Sequence, residues 1–193
     1  MVKATRTAGI TVEGRTSHDG PVAIQGPEDG KACIPPLLRL VQEAVDAGAR
    51  AIIIGCSDDT GLAAARDLAP CPVIGIGQAA YHMAVLAGPR FSVVTTLPVS
   101  VPVLERNILA MGFARSLVRV RASGVPVLDL ETDPAGAGQR VRAEIDRAVA
   151  EDGVQSVVLG CAGMVDIPAQ YGGAPPVRLI DGVLAAARIA ATF

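Results

Sequence analysis

The sequence predicts an α/β fold in which parallel sheets are covered by helices, and it predicts that fold as a duplicated unit. Three observations carry this. Helical and strand patterns alternate along the chain. The strand candidates are short, continuous aliphatic runs, as expected where both faces of a sheet are covered. The pattern that ends at Cys56 returns at Cys161, 105 residues further on.

The elements follow in order. Residues 8–12 read as a first strand. Residues 36–47 read as a helix, with Leu37, Val41, Ala44 and Val45 on one face. The run 51–55 is a buried strand, 60–69 an Ala-rich helix, 72–76 a strand and 78–87 a helix. A strand over 91–95 leads to a helix over 99–111, with Pro102 in its first turn. Residues 117–121 and 125–130 read as strands, 139–151 as a helix, 154–160 as a strand and 177–180 as the last strand. A helix over 183–191 closes the chain.

Composition narrows the function. Of the 193 residues, 50% are hydrophobic and 19% charged, which is globular and not disordered. Aromatics make up 3% and there is no Trp, so the core must come from Ala, Val, Leu and Ile. The net charge is -2 without a basic stripe, which argues against a nucleic-acid partner. No apolar stretch is long enough to span a membrane, and the first residues lack the apolar core of a signal peptide, so the expected location is cytoplasmic. Four cysteines without a C-x-x-C motif are read as reduced thiols. Two His without clustered ligands give no metal site.

The repeat singles out two of those thiols. Residues 43–56 (EAVDAGARAIIIGC) align without a gap to 148–161 (AVAEDGVQSVVLGC). Gly48 matches Gly153, Gly55 matches Gly160, and Cys56 matches Cys161. Residues 71–76 answer 175–180, and 21–26 answer 126–131. The second copy opens with a strand and a helix, over 91–112, that find no counterpart ahead of residues 8–12.

Each thiol directly follows a buried strand, and ligands of open parallel sheets bind at the carboxyl ends of strands. A helix opening nearby is expected to lower the thiol pKa from about 8.5 toward neutrality. Backbone N–H groups in such turns can hold a carboxylate or a developing enolate. Inverting a stereocentre requires a proton to leave one face and another to arrive on the opposite face. Two thiols on facing lobes do this without moving, one as thiolate and one as thiol, and neither nicotinamide nor flavin is needed; no cofactor is expected. A strand-end Cys is often only a small buried hydrophobe, but two at equivalent positions of a repeat favour chemistry.

The remaining candidates divide. Thr95 and Thr96 either cap the next helix or offer hydroxyls and amides to a ligand. Ser57 and Asp58 are split between capping and substrate contact, and Gly163 lets backbone approach a ligand. Cys33 and Cys71 lack repeat partners and are expected to be inert. His82 reads as a packed or surface residue, and nothing ties His18 to the chemistry.

Residues 55–84, 90–105 (RFSVVTTLPVSVPVLE) and 157–166 (VVLGCAGMVD) resemble the hydantoin racemase branch of the aspartate/glutamate racemase superfamily. The resemblance implies two pseudo-symmetric Rossmann-like, flavodoxin-like lobes with parallel sheets and a cleft between them. It implies racemisation of 5-substituted hydantoins or of allantoin at C5, with Cys56 and Cys161 as catalytic thiols. Ser57, Asp58, Thr96, Ala162 and Gly163 match the substrate-contacting loops, and Thr95 joins them. The lobes are expected at 1–88 with 181–193, carrying Cys56, and at 89–180, carrying Cys161. The expected partners are a small-molecule substrate and, among proteins, at most further copies of the chain as a homo-oligomer.

Two departures from the resemblance stand out. Ser57-Asp58 replaces the Asn-Thr that usually follows the first Cys of glutamate racemases, which points away from free glutamate or aspartate. The opening strand with its Asn-Pro-Asn-Thr-type loop is not found, the same gap that the repeat exposes. Two other readings compete. One is a related lyase or maleate-type isomerase; arylmalonate decarboxylases keep only the second Cys, so Cys56 counts against them. The other is a non-catalytic ligand-binding relative.

Overall fold

Aliphatic runs and Ala-rich helices settle into two parallel sheets in the computed structural model, which describes residues 11–193. The strand expected over 8–12 falls largely outside the described residues; Thr11 and Val12 carry no regular structure. Helix α1 (Pro27–Asp46) leads to β1 (Ile52–Ile54), α2 (Leu62–Leu68), β2 (Val73–Gly75) and α3 (Ile76–Ala87). Then come β3 (Phe91–Thr95), α4 (Val101–Ala110), β4 (Leu117–Ala122), α5 (Asp129–Thr132) and α6 (Pro134–Asp152). The chain finishes with β5 (Ser156–Leu159), β6 (Arg178–Asp181) and α7 (Gly182–Ala190).

The second half forms a four-stranded sheet in the order β4-β3-β5-β6, every pair parallel. This is the flavodoxin-like order, in which the first strand of the unit lies between the second and the third. β3 and β5 are buried at every position. Helix α6 covers one face through Val141, Ile145 and Ala148. Helices α3 and α4 cover the other through Tyr81, Leu104 and Ile108.

The first half is smaller. Among the described residues, β1 pairs only with β2, with Ile52 opposite Val73 and Ile54 opposite Gly75. Ile52 and Ile53 are partly exposed, whereas the equivalent β5 lies between two neighbours and is buried throughout.

The two halves exchange helices. Helix α3 follows β2 but lies against β5 and β6, while α7 follows β6 and lies against β1 and β2. The two helices pack on each other, and their starts meet closely. A Cβ on Gly182 would stand 2.4 Å from the Ile76 carbonyl oxygen. Gly77, in the first turn of α3, is as tightly placed: a Cβ there would stand 2.3 Å from the Ser57 carbonyl oxygen. Only glycine fits either position.

Three expectations are corrected. Residues 125–130 are not a strand. Val125 is fully buried, but Pro126 has no N–H, and Val127 N donates to the Gln25 side chain, so the segment turns into α5. Helix α1 starts at Pro27 and runs through Pro35 and Pro36, which sequence reasoning treats as a boundary. Its apolar face supplies the tertiary packing that offsets the lost bonds, with Pro36 and Val41 buried. Helix α2 starts at Leu62, later than expected, because Asp59 (φ 49) and Gly61 (φ 76) hold left-handed conformations.

Toward the amino end of the sheet, Asp152 accepts from Arg121, whose side chain is 5% exposed and also donates to Glu144 and Glu151. Ser92 Oγ also donates to Asp152, and these bonds hold that carboxylate below the usual range. The network ties β3 and β4 to the end of α6 and leaves the other end of the sheet to the site.

Candidate active site

Cys56 and Cys161 both stand in loops at the carboxyl ends of parallel strands, β1 and β5, and both are partly buried. Cys56 leans on the cluster formed by α1, α2 and the first sheet, and Cys161 on the cluster under α6. Ala162, next to Cys161, packs against the cluster that holds Ile74, Ile76 and Val183, so the second thiol's loop rests on the core of β2, α3 and α7.

The Cys56 loop is held from three directions. Asp59 accepts from Gly77 N at 3.0 Å and from Gln78 N at 2.7 Å, so it caps α3 although it lies far from that helix in sequence. Asn107, on α4, donates its side-chain amide to the Asp58 carbonyl at 2.7 Å and links the second half to the loop. Thr60 places its hydroxyl 3.7 Å from the Cys56 sulfur. Ser57 is buried, and its carbonyl oxygen lies close against Gly77 at the start of α3.

The Cys161 loop is held differently. Thr95 is 1% exposed and donates its hydroxyl to the Gly160 carbonyl at 3.1 Å, the peptide directly before the thiol. Thr95 therefore braces Cys161 and does not offer a free hydroxyl. Thr96 is also buried, and its carbonyl accepts from Gly124 N. Gly163 sits so close to Leu130 that a Cβ would come within 2.9 Å of it.

Neither thiol is lowered toward neutrality, contrary to expectation. Burial and then the Asp58 carboxylate push Cys56 up to about 12, against the pull of the Thr60 hydroxyl and nearby amides. Burial raises Cys161 as well; the Gly163 amide pulls it back, while Asp58 and Glu131 push it further up. The physical reason is local. No long helix begins at either thiol: α2 is delayed to Leu62, and Ala162–Met164 is a single 3-10 turn. The helix that does start nearby, α3, spends its amides on Asp59.

One carboxylate thus acts on both thiols. Burial raises Asp58 itself to about 6. A pocket of about 240 Å³ opens beside it, bordered also by Thr60 and Asn107. A larger pocket of about 480 Å³, between β2, α3 and the C-terminal residue, contains none of these groups. Among the described residues no group of three or more His, Cys, Asp or Glu is arranged to hold a metal ion. None of their helices is long and apolar enough to cross a membrane. Cys33 donates its thiol to Gly30 O inside α1 and lies outside this constellation.

Sequence reasoning missed Thr60, Asn107 and Asp59. Thr60 was legible in principle, four residues beyond Cys56. Nothing in a single sequence marks Asn107, which reaches the loop only through tertiary packing of α4.

A duplicated α/β unit with a strand-end thiol in each copy defines a class, that of the two-lobed racemase folds. The chain belongs to the Asp/Glu/Hydantoin racemase family, whose sequence model matches residues 1–190. It is 44% identical over 172 residues to a hydantoin racemase of Rhizobium meliloti, covering 89% of this chain and 71% of that protein. Its fold is similar to that of an allantoin racemase from Klebsiella pneumoniae, with a TM-score of 0.91 and 33% identity over 99% of this chain and 78% of the other. An allantoin racemase from Pseudomonas fluorescens gives a TM-score of 0.89 at 31% identity, over 99% of this chain and 81% of the other. Family membership implies an isomerase acting on a small molecule.

Proposed function

We propose that the chain racemises a hydantoin ring, that of a 5-substituted hydantoin or of allantoin, by exchanging the C5 proton between Cys56 and Cys161. The observation that carries this reading is the placement of both thiols, partly buried, directly beyond equivalent parallel strands, β1 and β5. The thiolate of one cysteine takes the C5 proton, and the electron pair of the C–H bond moves into the adjacent carbonyl as an enolate. The thiol of the other cysteine then gives its proton to the opposite face of C5. The substrate is inverted, the two sulfurs have exchanged protonation states, and no electron has been transferred.

Burial suits this chemistry. A thiolate formed against a raised pKa is a strong base toward a carbon acid. Ser57, Asp58, Thr96, Ala162 and Gly163 stand in or beside the two loops and supply the substrate-facing walls, while Thr95 braces Cys161. The lobes are proposed at 1–88 with 181–193 and at 89–180; packing of α7 on β1 and β2 supports joining 181–193 to the first, while α3 crosses over to β5 and β6. A cytoplasmic setting and a homo-oligomer complete the proposal; fractionation and light scattering read them.

Polarimetry on enantiopure 5-substituted hydantoins and allantoin tests the reading. Loss of optical rotation at an enzyme-dependent rate is expected. Calorimetric binding of the same compounds without loss of rotation would contradict it, and would make the chain a ligand-binding relative. Conversion of maleate without racemisation would redirect it to isomerase chemistry of another kind.

A further inference from the structure

The pocket beside Cys56 has walls of unusual composition. Asp58 and Thr60 form one wall, and Thr60 is the residue whose hydroxyl lies 3.7 Å from the Cys56 sulfur. Val103, Arg106 and Asn107 of α4 form another, and the first turn of α1 closes the pocket. No aromatic side chain lines it. Neither sulfur lines it, but Thr60 stands between this space and the Cys56 sulfur, so a substituent on a carbon held at that sulfur can reach it past Thr60.

The polar groups are complementary but not spent on each other. Arg106 carries only donors, and an ionised Asp58 carries only acceptors. Both line the same space of about 240 Å³, yet among the described residues they form no ion pair with each other. Asn107 uses its amide nitrogen on the Asp58 carbonyl, which leaves its side-chain oxygen as an acceptor. A substituent with a carbonyl at one edge and N–H groups at the other satisfies all three. An aliphatic or aromatic substituent would strip water from Arg106 and Asp58 and return nothing, a costly exchange.

Resting on the hydantoin-ring reading, we infer that this pocket seats the 5-substituent and selects substituents that both donate and accept hydrogen bonds. Arg106 is the residue that decides the selection. The ureido group of allantoin is the plainest example of the favoured class, with its carbonyl toward Arg106 and its N–H groups toward Asp58 and Asn107.

The test compares racemisation of enantiopure allantoin and of 5-isopropylhydantoin by circular dichroism, in the unaltered chain and in Arg106→Ala and Arg106→Lys. The unaltered chain is expected to prefer allantoin. Arg106→Ala is expected to lower the ratio of the two kcat/KM values by about tenfold or more, the worth of a charge-assisted hydrogen bond, mainly through KM for allantoin. Arg106→Lys is expected to fall between, since a point charge replaces a planar fork. Arg106 is exposed, so thermal melts of the variants are expected to match the unaltered chain. A ratio unchanged by Arg106→Ala, or a preference for isopropylhydantoin, overturns the inference while leaving the racemase reading in place. Racemisation of neither compound by the unaltered chain overturns that reading, and this inference with it.

Discussion

Replacing Thr95 with Val removes one hydroxyl at the end of β3 and keeps the shape of the side chain. The hydroxyl now donates to the Gly160 carbonyl at 3.1 Å, and Thr95 is 1% exposed, so water cannot take its place. Leaving that carbonyl unpaired costs about 1–3 kcal/mol. For a chain of this size Tm falls by about 2–4 °C per kcal/mol, so a drop of about 2–12 °C is expected. The Gly160 peptide leads directly into Cys161, and a displacement of about 1 Å at a reacting group can cost 10²-fold in rate. Racemisation followed by circular dichroism is expected to show kcat lowered by about tenfold or more with KM little changed, consistent with misalignment of the base. Thr95→Ser keeps the hydroxyl and is expected to recover most of the rate. A Thr95→Val variant with lowered Tm but unaltered kcat would refute the link between this bond and the alignment of Cys161.

Gly77→Ala drives a Cβ into the Ser57 carbonyl oxygen, backbone against backbone, so the Cys56 loop or the start of α3 must move. A loss of about 1–3 kcal/mol in denaturant titration is expected, with a larger proportional loss of racemisation. Asp58→Asn removes an anion that raises both thiols. An anion nearby disfavours thiolate, so its loss lowers the thiol pKa values, and the rising limb of the kcat/KM profile is expected to move to lower pH. An unmoved limb would show that the carboxylate does not govern the thiols. Arg121→Ala strands the buried Asp152 and is expected to cost about 3–5 kcal/mol by chemical denaturation. In the unaltered chain the lowered pKa of Asp152 contributes stability that is present above the ordinary carboxylate value and lost as pH falls through its own.

Much of the architecture was legible before the structure. Continuous aliphatic runs located β1, β3 and β5, because strands covered on both faces leave no alternation to misread. The repeat placed Cys56 and Cys161 at equivalent strand ends. Residues 125–130 were misread because apolar residues buried in a loop look like a strand when hydrogen-bond partners are invisible. Helix α1 was cut short because local rules stop a helix at Pro35 and Pro36, whereas its packing carries it through. The electrostatics were read with the wrong sign. A helix opening was inferred from Ser57 and Asp58, yet Asp59 and Gly61 turn left-handed and delay the helix, so burial decides the thiol pKa. Thr60, four residues beyond Cys56, was a local signal left unread, whereas Asn107 reaches the loop by tertiary packing that no local pattern records.

The central claim is that one of Cys56 and Cys161 removes a proton from a carbon while the other delivers its own to the opposite face, and racemisation in D2O, by the unaltered chain and by single variants, tests it most directly. In the unaltered chain, each inverted product molecule is expected to carry deuterium at C5. Cys56→Ala and Cys161→Ala are each expected to abolish racemisation, although one remaining thiolate can still exchange the proton of a single enantiomer with solvent. Full racemisation by either single variant would contradict the account.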